Sequence, residues 1–195
     1  MTGRERILRA ALECFSRDGV AATPLGRLLA ESKVSAGSFY HHFSGKEQVA
    51  AVLYTETLAS YQDGFLRELR RHPDPAEAVR AGVAFHVGWC GANRERARFL
   101  FTERAPGPEQ DGGAELAARN RAFFGEVMDW WRIHRHHGAL RDLDITMAHV
   151  LWLGPAQELC RLWLSGQVPE PSPDQIALLG EAAWLGVRAT EGSTS

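Results

Sequence analysis

Three groups of residues in this chain carry hydrogen-bonding or ligand chemistry at helical spacing. The first is Ser35, Ala36, Gly37, Ser38, Phe39, Tyr40, His41 and His42, a run rich in small, polar and ring-bearing side chains and poor in aliphatic ones. Lys33 and Lys46, the only two lysines in the chain, flank it. Small residues let a helix approach another surface closely. Ser38 can donate or accept a hydrogen bond, a Tyr40 phenol can donate one, and an ammonium beside a helix N-terminus suits an anion. The second group is His86 and Cys90, at i and i+4 and so on one helix face, the pairing a Cys–His nucleophile would need. Their neighbours Phe85, Val87 and Trp89 favour buried packing instead. The third is His134, His136 and His137, beside Arg132 and Arg135. His134 and His137 share a face and could share a metal. No Cys or carboxylate stands at a companion spacing, however, and cationic residues are favoured at a helix C-terminus in any case. No G-x-S-x-G, P-loop or G-x-G-x-x-G motif is present. The expectation is therefore no catalytic residue, no metal and no cofactor.

The elements that must position the first group are short helices with explicit start signals. Thr23 is placed to cap a helix, with Pro24 at its first position, where the missing N–H costs nothing. Leu25, Leu28 and Leu29 follow at the spacing of a buried face. Ser32-Lys33-Val34-Ser35 breaks the pattern, and Ser35 caps the next helix. Ser44-Gly45-Lys46-Glu47 reads as a capping box, with Ser at N-cap and Glu at N3, that opens another. Leu28, Val34, Phe39 and Phe43 form the expected small core. A second helix this short and this rich in hydrogen-bonding side chains suits a DNA major groove better than a protein interior.

These residues resemble the DNA-binding domain of the TetR family of bacterial transcriptional regulators. Arg6-Ile7-Leu8 through Ala10, Ala11 and Phe15 matches the family's first helix, and Gly19 its terminating glycine. Thr23 to Ala30 is similar to the second helix. Val34 to Phe43 with Lys46-Glu47 is similar to the recognition helix and the start of the fourth. Lys33 stands where glycine is usual, and Leu29 where a small residue is usual. The resemblance implies a ligand-responsive regulator, a repressor released from a palindromic operator, although the residues themselves leave activation open. Thr23, Lys33, Ser35, Ala36, Gly37, Ser38, Tyr40, His41, His42 and Lys46 are the expected DNA-binding residues. Tyr40 and Lys46 are expected on phosphate and Ser38 on base edges; His41 and His42 are unranked, and Lys33 is either a phosphate contact or a solvated turn residue.

Composition fits this expectation. The chain has 195 residues, of which 45% are hydrophobic, enough for a sizeable core. Its formal charge of −2 is unevenly spread: residues 1–50 hold seven Lys/Arg against five Asp/Glu, and the remainder is acidic. Cys14, Cys90 and Cys160 are odd in number and far apart, which argues against a disulfide framework and for a reducing, cytoplasmic setting. No secretory leader or membrane-spanning stretch is apparent.

From residue 46 onward the pattern is helical throughout, giving an all-α fold. The expected domains are a helix-turn-helix head at 1–46, an effector-binding and dimerisation body at 47–190, and a flexible tail at 191–195. Phe85, His86, Trp89, Phe123, Phe124, Met128, Trp131 and Trp152 are the candidate lining of an effector pocket, which would take a small apolar or aromatic molecule. A helix over 146–164 is apolar on nearly every face and must be covered on all sides, most economically by a second copy of the chain. Leu151, Leu159, Leu162, Trp163, Ile176, Leu179, Ala183, Trp184 and Val187 are the expected homodimer interface. Pro155 should kink that helix.

Overall fold

The computed structural model describes residues 1–107 and 109–190. Among these, nine helices run in the order α1 (Gly3–Asp18), α2 (Leu25–Ser32), α3 (Ala36–His42), α4 (Lys46–Arg71), α5 (Pro75–Ala92), α6 (Arg94–Thr102), α7 (Gly113–His136), α8 (Ile145–Leu164) and α9 (Pro173–Val187). One isolated antiparallel bridge joins Leu140 to Arg188. The tail expected at 191–195 lies outside the described residues. Packing groups the chain into two compact units. The first is Met1–Ser60 with Asn93–Arg119; the second is Tyr61–Ala92 with the chain from Asn120 onward.

In the first unit, a capping box opens α1: the Thr2 hydroxyl accepts from Glu5 N–H, and the Glu5 carboxylate accepts from Thr2 N–H. Gly19 ends the helix at φ 82°, a conformation glycine adopts without strain. Ile7, Phe15, Leu28 and Phe39 are fully buried in one cluster, each contributing about 1.5–3 kcal/mol by leaving water. Val34 and Phe43 join it as expected. The same cluster runs past residue 46 to Val49, Leu53 and Phe99, so the head's core is completed by α4 and α6.

Two helix starts differ from expectation. Pro24, not Thr23, holds the N-cap position of α2, and that end has no side-chain cap. At α4, Ser44 N–H donates to Gln48 Oε1 at 2.7 Å, so the back-reaching side chain is Gln48 rather than Glu47. Ser35 does cap α3, its hydroxyl accepting from Ser38 N–H at 3.2 Å.

In the second unit α5, α8 and α9 pack against one another. Close approach is allowed at Gly82, where an added methyl would meet the Trp152 indole at 3.0 Å. Asp144 caps α8 by accepting from Thr146 and Met147 N–H groups. The helix continues through Pro155 to Leu164. Ser172 and Gln175 form the capping box of α9, with Pro173 at its first turn. Among the described residues no helix is long and apolar enough to cross a membrane.

Candidate nucleic-acid interface

The first unit turns one face of α3 outward. Ser35, Ala36, Gly37, Tyr40, His41 and His42 are exposed, while Phe39 on the opposite face is fully buried. Phe39 meets Tyr40 edge-on, with ring centroids 5.5 Å apart, which steadies the Tyr40 ring while 59% of the residue stays exposed. Gly37 has nothing within 4 Å of where a Cβ would stand. The fold therefore does not require glycine there, and in a helix it costs about 1 kcal/mol relative to alanine. Gly26, in the first turn of α2, is equally open, and sequence reasoning passed over it.

Other expected contact residues are differently placed. Thr23 is 0% exposed, and its hydroxyl donates to the Gly19 carbonyl at 2.8 Å. Its N–H is spent on the Val20 carbonyl, so Thr23 shapes the α1–α2 turn from inside. Lys46 is likewise committed: its ammonium donates to the carbonyls of Val20, Ala21 and Thr23 at 2.8, 3.1 and 2.9 Å. Three donors meet three acceptors, leaving none for a phosphate in this arrangement. Glu103 clamps the same turn, accepting from Val20 N–H at 2.9 Å. Ser38 is half-buried, and with His42 it lies against Gly3, where an added methyl would meet His42 Nε2 at 3.3 Å and Ser38 Oγ at 3.5 Å. Lys33 is exposed and closes α2 in the left-handed conformation, φ 53° and ψ 40°, the one positive-φ non-glycine among the described residues.

Residues 7–53 match the family model described as bacterial regulatory proteins, tetR family. Over those residues the chain is similar to the N-terminal region of the TetR family. Over 98 residues it is 28% identical to the HTH-type transcriptional regulator AcrR of Shigella flexneri, a match covering 50% of this chain and 46% of that one. Over 150 residues it is 26% identical to the HTH-type transcriptional repressor NicS of Pseudomonas putida, covering 75% and 69%. The chain thus spans less than half the length of AcrR and somewhat over two thirds of NicS. In fold it is similar to a TetR family transcription regulator from Marinobacter aquaeolei VT8, with a TM-score of 0.80, 20% identity and 96% of each chain covered. The named relatives are regulators of transcription.

The second unit holds the aromatic residues expected to line a pocket, but not as a single lined pocket. Trp131 and Trp152 are core. Each is almost fully buried, and their indole N–H groups donate to the carbonyls of Arg141 at 3.0 Å and Val79 at 2.9 Å. Phe65, missed by sequence reasoning, is the hub, with ring centroids 5.4–6.1 Å from Tyr61, Phe85, Phe123 and Trp152. Phe85, His86 and Trp89 gather around Tyr61. Phe123 and Phe124 border a cavity of about 30 Å³ together with Phe65, His149 and Trp152, room for roughly one water. Met128 is half-buried on α7. A wider cavity, about 690 Å³, opens in the first unit beside Val20, Ala51, Tyr54, Phe99 and Glu103.

The face that α8 and α9 leave open also differs from expectation. Trp163, Ala183 and Val187 are buried within the protomer and cannot present a surface to another copy. Leu151, Leu159, Leu162, Ile176, Leu179 and Trp184 are half-buried. The exposed apolar residues are Met147 and Val150 on α8, and Leu178 (69%) and Leu185 (52%) on α9. Leu178, Ala182 and Leu185 recur at i, i+4 and i+7, one exposed stripe. In sequence, an all-round apolar helix does not reveal which side its own protomer takes.

The histidine run divides too. The half-buried His134 ring lies 4.6 Å from that of Trp130, and burial, then His137, pulls its pKa down; His136 and His137 are exposed. Cys90 Sγ does lie near His86 Nε2, at 3.9 Å, but in a buried setting, and a hydrogen bond with Cys160 and desolvation push the Cys90 thiol above the usual range. That is the opposite of an activated nucleophile.

Proposed function

We propose that this TetR-family protein is a homodimeric, DNA-binding repressor, released from a palindromic operator by a small apolar or aromatic effector. The observation that carries the reading is the outward face of α3. Ala36 and Gly37 admit close approach, Tyr40 and His41 offer polar tips, and no acidic residue occurs from Ser32 to Gly45. Such a face fits base edges and phosphates, with phosphate contacts positioning the helix and base contacts selecting sequence. The exposed apolar stripe of α9 supports a second copy of the chain as the cover for α8 and α9, and a two-fold dimer reads a palindrome.

The aromatic cluster supports an effector that shares its chemistry. A cavity of about 30 Å³ cannot hold one, so entry must part the rings around Phe65. Tyr61 and Phe65 lie on α4, the same uninterrupted helix whose first residue, Lys46, holds the α1–α2 turn. An effector that favours parted rings shifts α4 between two placements and acts only through its differential affinity for them.

Selection of bound duplexes from a random DNA library tests this, run with wild type and Gly37→Ala/Tyr40→Phe. Recovery of a palindrome by wild type and loss of enrichment by the variant are expected. No enrichment by a folded wild-type dimer overturns DNA binding, and enrichment of a non-repeated site overturns the dimeric mode.

A further inference from the structure

The cysteines look unrelated in sequence, and yet two of them meet. Cys90 on α5 and Cys160 on α8 converge with His86, and the candidate ligand atoms of all three lie within 4.8 Å of one another. All three residues are buried, at 4% exposure or less. We propose that His86, Cys90 and Cys160 form a three-coordinate site for a soft, thiophilic metal ion, with monovalent copper the ion whose softness and coordination number fit.

The geometry is nearly that of a bound site. Metal–sulfur bonds of about 2.3 Å in a trigonal arrangement set donor atoms roughly 4 Å apart, so small side-chain rotations close the set. The imidazole is already aimed. Tyr61 Oη lies 2.9 Å from His86 Nδ1, while Nε2 faces the Cys90 sulfur. With Nε2 on a metal, Nδ1 keeps its proton and donates it to Tyr61 Oη, the outer partner that metal-bound histidines generally have.

Ligand type and count select the ion. Both cysteines bind a metal as thiolates and His86 as a neutral imidazole, so loading displaces two protons, one from each thiol. Zinc would prefer a fourth donor, and among the described residues the converging set stops at three. Two sulfurs and an imidazole suit monovalent copper. The site goes beyond the DNA-binding reading, and its test reads metal rather than DNA.

Reduced, metal-free full-length protein would be titrated anaerobically with monovalent copper against a chromogenic chelator, with zinc in parallel. One copper per protomer is expected, and X-ray absorption should show a shell of two sulfurs and one nitrogen. Cys90→Ser and Cys160→Ser should each abolish competition with the chelator, Tyr61→Phe should weaken binding about 10–100-fold, and Cys14→Ala should change nothing. The wild-type absorption spectrum decides even where a variant misfolds. No copper retained by wild type, a shell of nitrogen and oxygen only, or tighter binding of zinc than copper each overturns the assignment. So does a wild-type protein whose Cys90 and Cys160 close to a disulfide in air and retain no metal under anaerobic loading.

Discussion

The outward faces of α3 and α9 are both unsatisfied within a single chain, and they differ in what they lack. On α3 the exposed positions are small or polar-tipped, and a glycine sits in open space where the protomer has no use for it. On α9 the exposed stripe is aliphatic, and Gly180, Ala183 and Val187 on its other side are already packed inward. Apolar surface gains by leaving water, so the α9 stripe fits a protein surface as apolar as itself. A polar, close-approach surface gains only from a partner that offers matched acceptors and charge, and nucleic acid does. The two faces therefore imply two partners, and the comparison can be broken by exchanging the chemistry of either.

The largest effect is expected from α9. Leu178→Glu with Leu185→Glu places two charges on the exposed stripe without touching the core. Sedimentation should show a monomer with an unchanged circular dichroism spectrum, and operator affinity should fall on the order of 10²–10⁴-fold as the two heads lose their linkage. A dimer that survives both charges removes the second copy as the partner of this face. Next comes Lys46→Ala. Three hydrogen bonds from the ammonium to the α1–α2 turn are lost, and a bond to a charged group contributes about 1.5–3 kcal/mol. Melting temperature and DNA binding should fall together on every duplex. Weakened binding with an unshifted melting curve would show instead that the ammonium leaves the turn for a phosphate.

The same contrast explains what was legible in the sequence. Caps and breakers are local signals, so Ser35 and Gly19 were read correctly, as was the small core of Leu28, Phe39 and Phe43. The side chains that serve the turn were not. The Thr23 hydroxyl turns inward to the Gly19 carbonyl and Lys46 spends its three donors on carbonyls more than 20 residues away, and residue type alone cannot show that a donor is already committed. The meeting of Cys90 with Cys160, and the role of Phe65 as hub, likewise depend on how helices distant in sequence pack.

A smaller effect with opposite signs is expected at Gly37. Gly37→Ala meets no neighbour and should stabilise the head by about 1 kcal/mol. Operator affinity should nonetheless drop roughly tenfold, equivalent to about 1.4 kcal/mol, because the methyl intrudes where a base edge or sugar approaches. Higher stability with unchanged affinity would place the contact surface elsewhere on the head.

The finest discrimination lies at Lys33, where the two demands on one residue separate. Its backbone holds φ 53°, a conformation that costs a non-glycine residue about 1 kcal/mol or more. Lys33→Gly relieves that strain but loosens the unfolded chain, which offsets about 0.4–1 kcal/mol, so the head should gain a few tenths of a kcal/mol at most. If the exposed ammonium reaches a phosphate, the slope of log affinity against log salt should become shallower by about 0.9, with little change in which duplexes are preferred. If it is only a solvated turn residue, the slope stays and the small gain in stability remains. A strained lysine that leaves the salt slope untouched would remove Lys33 from the DNA-facing surface and leave the face of α3, with Tyr40 and His41, to supply the contacts alone.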